Sequence, residues 1–444
     1  MQTLQSNPST SSSSPPYNTF INNYLLKQDE QFLSQYNSSQ QSPPKKLEDL
    51  QSLFTTLSND SKTITIKEFN LLRAHAISKG GFLTSNKRRV FYKKIFCINN
   101  SNLRDMVYIN LNSTIDIRKD VLQIKHIESK DKSFNKLETS PDVEIIKMDS
   151  LRSKISNLFL NKNFDETLGM NITNYIKNDL ESFLSEITSL NGNTYSYFQG
   201  YHDIALYFLL LYYDKTLTNT GVAVFQHFSE FFLKELLYTG TLASVYDGNT
   251  TSHFEILSSL YLLKEIIHLL SPSIYDLLMN TCTNGLPTFA TSWVLSLFTH
   301  CLDNSSVLYR ILDYFIVSHP IAVYHMSAWI IIKEIEKALK DNKEMFCGDV
   351  AYFKFFQELN METLDYDYYI TITEESMKKY PISVLQDVYN KIGIKYYYPL
   401  ATEDSYVLKW IMNHNKDEVK YSFQMYMKGQ FNLLKSLFNT NNNK

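Results

Sequence analysis

Residues 172–190 read ITNYIKNDLESFLSEITSL, and within them Ile176, Leu180, Phe183, Leu184 and Ile187 fall on one stripe at helical spacing. Asn191-Gly192-Asn193 follows as a stop signal. The pattern predicts an amphipathic helix laid against a core. Working outward, a second helix starts near Gly200, and its apolar run Ile204 to Tyr213 is about half of the roughly 20 residues that cross a bilayer, so it reads as a core helix. Further helices are expected over about 222–238, 253–270 and 272–280, and another opening at Leu286 with Pro287 in its first turn. Asp303-Asn304-Ser305-Ser306 caps a helix carrying Leu308, Ile311, Leu312, Phe315 and Ile316 that ends by Pro320, and an apolar helix spans about Ala322 to Leu339. From there to about residue 390, short helices alternate with turns. No stretch reads as a strand, so the fold class is all-α.

Toward the N-terminus, Phe69, Leu72 and Ala76, then Val90 and Ile95, predict two helices broken by the Gly80-Gly81 turn. Residues 1–48 are rich in Ser, Asn, Gln and Pro, with Ser11 to Ser14 followed by Pro15 and Pro16, and such a composition buries too little apolar surface to offset the entropy of ordering. A disordered low-complexity tail is expected there. Residues 100–140 read as a long polar connection. Residues 405–438 read as two amphipathic helices before an Asn-rich end. The division is therefore a tail over 1–48, one helical domain over 60–390, and a helical extension over 391–444.

Composition prunes the function classes. Hydrophobic residues make up 44% of the 444, enough for a large core without disulfide or metal staples. A formal charge of −3 lacks the basic bias of a nucleic-acid binder. Cys97, Cys282, Cys301 and Cys347 form no Cys-x-x-Cys pair, which argues against a disulfide framework and a structural zinc site and fits a reducing, cytoplasmic setting. Neither a secretory signal, nor a lipidation motif, nor a membrane-spanning segment is legible, so any membrane association is expected to be indirect. The phosphate-cradling loop ending in Lys-Ser/Thr, His-Glu-x-x-His and Gly-x-Ser-x-Gly are all missing, which argues against a self-contained enzyme of those kinds.

What remains is an ordered set of blocks: Leu72 to Leu83, ending in Lys79-Gly80-Gly81-Phe82-Leu83, and the run Arg88 to Phe91; Ile146-Lys147-Met148-Asp149-Ser150-Leu151-Arg152; Tyr197-Phe198-Gln199-Gly200-Tyr201-His202-Asp203-Ile204; Phe289 to Phe298 around Ser292-Trp293; and Tyr309-Arg310-Ile311-Leu312-Asp313-Tyr314-Phe315. Singly they are bland. Asp149 and Arg152 three apart on a helix make an ordinary surface ion pair, and Tyr197 to Gly200 makes a helix-leading turn. Trp293, Phe298, His202 and His300 read as core residues.

In this order the blocks resemble the TBC domain of Rab GTPase-activating proteins, whose Ile-x-x-Asp-x-x-Arg motif carries an arginine finger and whose Tyr-x-Gln-Gly motif carries a glutamine finger. The resemblance spans about residues 65–390. It implies a multi-helix fold that is not itself an enzyme but completes the active site of a Rab in its GTP form, with Arg152 and Gln199 as fingers and Asp149, Tyr197, Gly200 and Asp203 in support. It also implies no cofactor of its own, since GTP and magnesium belong to the Rab. Gln199-Gly200-Tyr201-His202-Asp203 and Ser292-Trp293 are most similar to the branch linked to early-secretory Rabs. That implies a place peripheral to ER and Golgi membranes and a part in vesicle transport, although branch members usually carry a membrane anchor that is not legible here. Phe91 stands where many members have Trp, and Ser153-Lys154-Ile155-Ser156 replaces a basic run ending in Phe-Pro. The alternatives are a catalytically silent Rab-binding module and an α-helical scaffold. Retention of both fingers favours activation.

Overall fold

The computed structural model describes residues 16–38, 45–59, 64–96, 143–155, 166–190, 197–213, 218–233, 253–282, 285–318, 321–341 and 348–380. These residues form α-helices, 3-10 turns and loops, with no strand among them. In chain order the helices are α1 (Pro16–Ser38), α2 (Lys45–Leu57), α3 (Ile66–Ile77), α4 (Ser85–Ile95), α5 (Val143–Arg152), α6 (Glu166–Leu190), α7 (Tyr201–Leu211) and α8 (Thr218–Phe232). They continue with α9 (His253–Leu270), α10 (Pro272–Thr281), α11 (Thr291–Leu295), α12 (Ser305–Ile316), α13 (Ala322–Lys340), α14 (Asp349–Glu358) and α15 (Tyr366–Lys379).

α7 organises the bundle. All eleven of its residues are buried, and from Ile204 onward the helix is apolar on every side. α6 and α8 pack against it, and α5 lies on α6 while also touching α7. On the other side, α9 packs on α13 and α13 on α15. Phe208 and Phe225 join α7 to α8 with ring centres 5.0 Å apart, and Phe183 of α6 stacks on Phe225 at 5.6 Å.

Local signals set several helix starts. Thr65 and Glu68 form a reciprocal capping box on α3, Asn304 accepts from the Ser306 N–H to cap α12, and Pro272 opens α10. The other end of α3 is satisfied from far along the chain. Arg310 donates to the carbonyls of Ala76, Ile77 and Ser78 at 2.7, 3.0 and 3.0 Å, and Lys46 Nζ donates to those of His75 and Lys79 at 2.9 and 2.7 Å. Arg310 and Lys46 thus complete a helix C-terminus.

Two expectations need correction. The disordered tail does not extend over all of 1–48, because Pro16–Ser38 and Lys45–Leu57 are helical. Ile21, Tyr24 and Leu25 are 4% exposed or less, Tyr24 bonds Ser305, and Asp29 accepts from the backbone and side chain of Ser85. Averaging composition over the segment hid this apolar stripe among Ser and Asn. The domain accordingly starts before residue 60. The helix expected from Leu286 is instead a 3-10 turn, Thr288–Ala290, followed by the five-residue α11. The polar connection over 100–140 and the extension over 391–444 lie outside the described residues, as do residues 1–15. Among the described residues, no helix is long and apolar enough to cross a membrane.

Candidate functional site

Ile146, Asp149 and Ser150 form the buried face of α5, so Glu144, Lys147, Met148, Leu151 and Arg152 are left on the exposed one. Arg152 ends the helix, where a cation suits the dipole. Its side chain is 65% exposed and approaches Asp149 only to 4.0 Å, so the guanidinium donors remain available to a partner.

The turn carrying Gln199 comes from the other side of the site. Tyr197 and Phe198 are buried, Gln199 is exposed, and Gly200 serves as the N-cap of α7 with φ +102°, in the left-handed region that glycine enters without strain. A Cβ on Gly200 would sit 3.7 Å from Ser296 Cβ, so the position demands glycine for its backbone angle more than for space.

One chain of polar contacts ties both elements together. The Tyr197 hydroxyl donates to Asp149 Oδ2 at 3.0 Å and lies 2.9 Å from His202 Nδ1. His202 Nε2 is 3.3 Å from Asp203 Oδ1, and Asp203 Oδ2 is 2.8 Å from His300 Nδ1. Asp149, Tyr197, His202 and Asp203 are all buried, while the His300 side chain is 57% exposed. Burial, reinforced by Asp149 and Asp203, pushes the Tyr197 hydroxyl far up, so it stays protonated and remains a donor to the carboxylate. Burial also lowers the His202 pKa against the opposing pull of Asp203 and Asp149, which keeps the ring neutral near pH 7. These side chains bond one another, and among the described residues no group of His, Cys, Asp and Glu is arranged to hold a metal.

The fold therefore brings Asp149, Arg152, Tyr197, Gly200 and Asp203 into one connected site, with Gln199 in the turn between Tyr197 and Gly200. His202, read from the sequence as a hydrogen-bonded core residue, is buried and bonded as expected, whereas His300, read the same way, is bonded but lies at the surface, and both are links in the network. Phe298 is buried as expected, but in a left-handed turn with φ +68° and not on a helix face. Nothing in the local sequence marks that turn, since it holds no Gly or Asn.

A second buried cluster unites the glycine turn with the Tyr309–Phe315 block. Asp313 accepts from Arg88 Nε and a terminal Arg88 nitrogen at 3.0 to 3.1 Å, from the Tyr92 hydroxyl at 2.7 Å and from the Phe82 N–H at 2.9 Å. A Cβ on Gly81, whose φ is +57°, would meet Asp313 Oδ2 at 2.4 Å. Only glycine admits this approach.

Residues 92–340, more than half of the chain, match the family described as the Rab-GTPase-TBC domain. The chain belongs to this family. Its similarity to "TBC1 domain family member 20" of Homo sapiens is 24% identity over 293 residues, covering 66% of this chain and 60% of that protein. The Bos taurus protein of the same name gives the same figures. "GTPase-activating protein gyp10" of Schizosaccharomyces pombe is 30% identical over 137 residues, covering 31% of this chain and 32% of that one. The chain thus spans about three fifths of the length of the first two relatives. In this TBC domain the packed helices continue past the matched segment at both ends: Gly81 and Arg88 precede it, and α14 and α15 follow it.

Proposed function

We propose that this TBC domain accelerates GTP hydrolysis on a Rab-family GTPase in its GTP form, with Arg152 as an arginine finger and Gln199 as a glutamine finger. The observation that carries the reading is that two exposed polar side chains, on different elements, each sit next to a residue of one buried pair, Asp149 and Tyr197. Asp149 sits one helical turn from Arg152, and Tyr197 sits two residues before Gln199, so the 3.0 Å Tyr197–Asp149 bond sets one finger relative to the other.

The chemistry fits phosphoryl transfer. Charge spreads over the γ-phosphoryl oxygens while water attacks in line, and an arginine supplied in trans neutralises that charge, an effect of roughly 10³ to 10⁵ in rate for GTPases. A glutamine amide can accept a hydrogen bond from the water and donate one to the phosphoryl group, holding the nucleophile in line. GTP and magnesium come with the Rab, so the domain needs no cofactor. The similarity of the 199–204 and 292–293 segments to the early-secretory branch favours a Rab working between ER and Golgi, with the protein cytoplasmic, peripheral to those membranes and reaching them indirectly or through the Rab.

A panel of purified Rabs in single-turnover hydrolysis tests the reading. The highest acceleration is expected on an ER–Golgi Rab, and it should persist when that Rab's own switch glutamine is changed to alanine. A clear optimum on an endosomal Rab would sink the assignment to that branch. The two-finger account fails if the Rab's glutamine is indispensable while Gln199→Ala is silent.

A further inference from the structure

His300 is the surface-reaching end of the network that starts at Asp149. Its Nδ1 is 2.8 Å from Asp203 Oδ2, and its backbone N–H donates to Ser296 Oγ at 3.0 Å. Asp203 occupies the first turn of α7, with its own N–H bonded to the Gly200 carbonyl at 3.2 Å. Displacing Asp203 would therefore be felt one peptide away from Gln199.

The loop delivering His300 is strained. Leu297 and Phe298 are successive, fully buried non-glycine residues with φ of +51° and +68°. A left-handed conformation is sterically disfavoured for an L-residue. Packing and hydrogen bonds hold it: Phe298 stacks on Trp293 at 6.0 Å and on Phe315 at 6.3 Å, its N–H donates to the Trp293 carbonyl at 3.0 Å, and its carbonyl accepts from the Cys301 N–H at 2.9 Å. Such strain persists only where the surroundings over-determine it, and it gathers where a fold must aim a side chain. Here the outcome is His300 set against the first turn of α7.

We propose that His300 is a positioning residue for Gln199: through Asp203 it clamps the turn that precedes α7 and holds the glutamine side chain in one direction for the partner's attacking water. This rests on the reading of Gln199 as a finger. Aim matters in the transition state and little for docking, so the clamp acts on the maximal rate and leaves affinity alone.

The test uses the full chain with a GTP-loaded Rab, in single-turnover hydrolysis at varied activator concentration. The variants are His300→Ala, His300→Asn, Gln199→Ala and the His300→Ala/Gln199→Ala double. His300→Ala should lower the maximal rate roughly tenfold while the half-saturating concentration and the melting temperature stay near wild type. His300→Asn, whose amide can still donate to Asp203, should recover most of the rate. On a Gln199→Ala background, His300→Ala should add nothing. An unchanged rate in His300→Ala, an equal loss on both backgrounds, a loss confined to the half-saturating concentration, or no recovery by asparagine would each overturn the clamp. If Gln199→Ala is itself silent, the finger reading falls and the clamp with it. A silent His300→Ala beside an impaired Gln199→Ala overturns the clamp alone.

Discussion

Asp313 and Asp149 are both buried aspartates that accept a tyrosine hydroxyl, yet the clusters around them end differently. Around Asp313 every contact runs inward: Arg88, itself 3% exposed, lies over the Tyr309 ring at 5.4 Å and has Asp29 at 3.8 Å. Around Asp149 the contacts run outward, to Arg152 at 65% exposure on one side and through His202 and Asp203 to His300 at 57% on the other. The first arrangement pins α4 and α12 together with the glycine turn. The second ends on two side chains that are more than half exposed. Both are drawn from blocks that mark the family, and only where each network ends separates a structural cluster from a candidate site.

The sharpest way to break this comparison is to remove the aspartate of the closed cluster. Asp313→Ala removes the hydrogen-bonded partner of the buried Arg88 charge, leaving only Asp29 at 3.8 Å, and should cost about 3–5 kcal/mol of stability, read as a drop in the urea midpoint. A loss under about 1 kcal/mol would mean the cluster is not the closed unit described. Arg152→Ala should do the opposite, leaving the urea midpoint near wild type while lowering single-turnover acceleration by two orders of magnitude or more, about 3 kcal/mol of transition-state stabilisation. Its binding to a GTP-loaded Rab should survive better than its turnover, and an equal loss of both would make Arg152 a docking residue.

The two glycine turns sharpen the contrast at smaller scale. Gly81→Ala meets both a positive φ and a carboxylate oxygen at 2.4 Å, whereas Gly200→Ala meets a positive φ alone, with its nearest neighbour at 3.7 Å. Each should destabilise, by about 1–3 kcal/mol for the backbone strain, with Gly81→Ala the worse of the pair. Thermal melts showing the reverse order would undo the distinction.

The smallest effect concerns acid. The folded-state pKa of His202 is depressed by burial, so just below the ordinary histidine value near 6.5 the unfolded chain holds a proton that the native network does not. Its contribution is full above that value and is lost as the pH falls through it. Between pH 7 and 5.5, wild type should therefore lose more stability than His202→Gln. Parallel urea midpoints for the two proteins would remove His202 as the cause.

The helices were legible from one residue to the next. The stripe of α6, the cap of α12 and the apolar run of α7 follow from spacing and capping chemistry that act within a turn or two, and so does the grouping of Asp149 with Arg152 on α5. α1 was harder to read, because Ile21, Tyr24 and Leu25 are few among Ser, Asn and Gln, and the helix is held by partners from elsewhere, Ser305 on Tyr24 and Ser85 on Asp29.

The sequence by itself thus determined the all-helical class and most of the helices from α6 to α13, since periodicity is a local property of the chain, while the family resemblance marked Arg152 and Gln199 as the residues proposed to act on a partner. Only the tertiary structure decided which polar residues meet. Tyr197 reaches Asp149 across 48 positions, His300 reaches Asp203 across 97, and Arg88 reaches Asp313 across 225. The left-handed pair Leu297–Phe298 is likewise a tertiary outcome, because its strain is offset by Trp293, Phe315 and the burial around them. No local propensity encodes a conformation that the residues themselves disfavour.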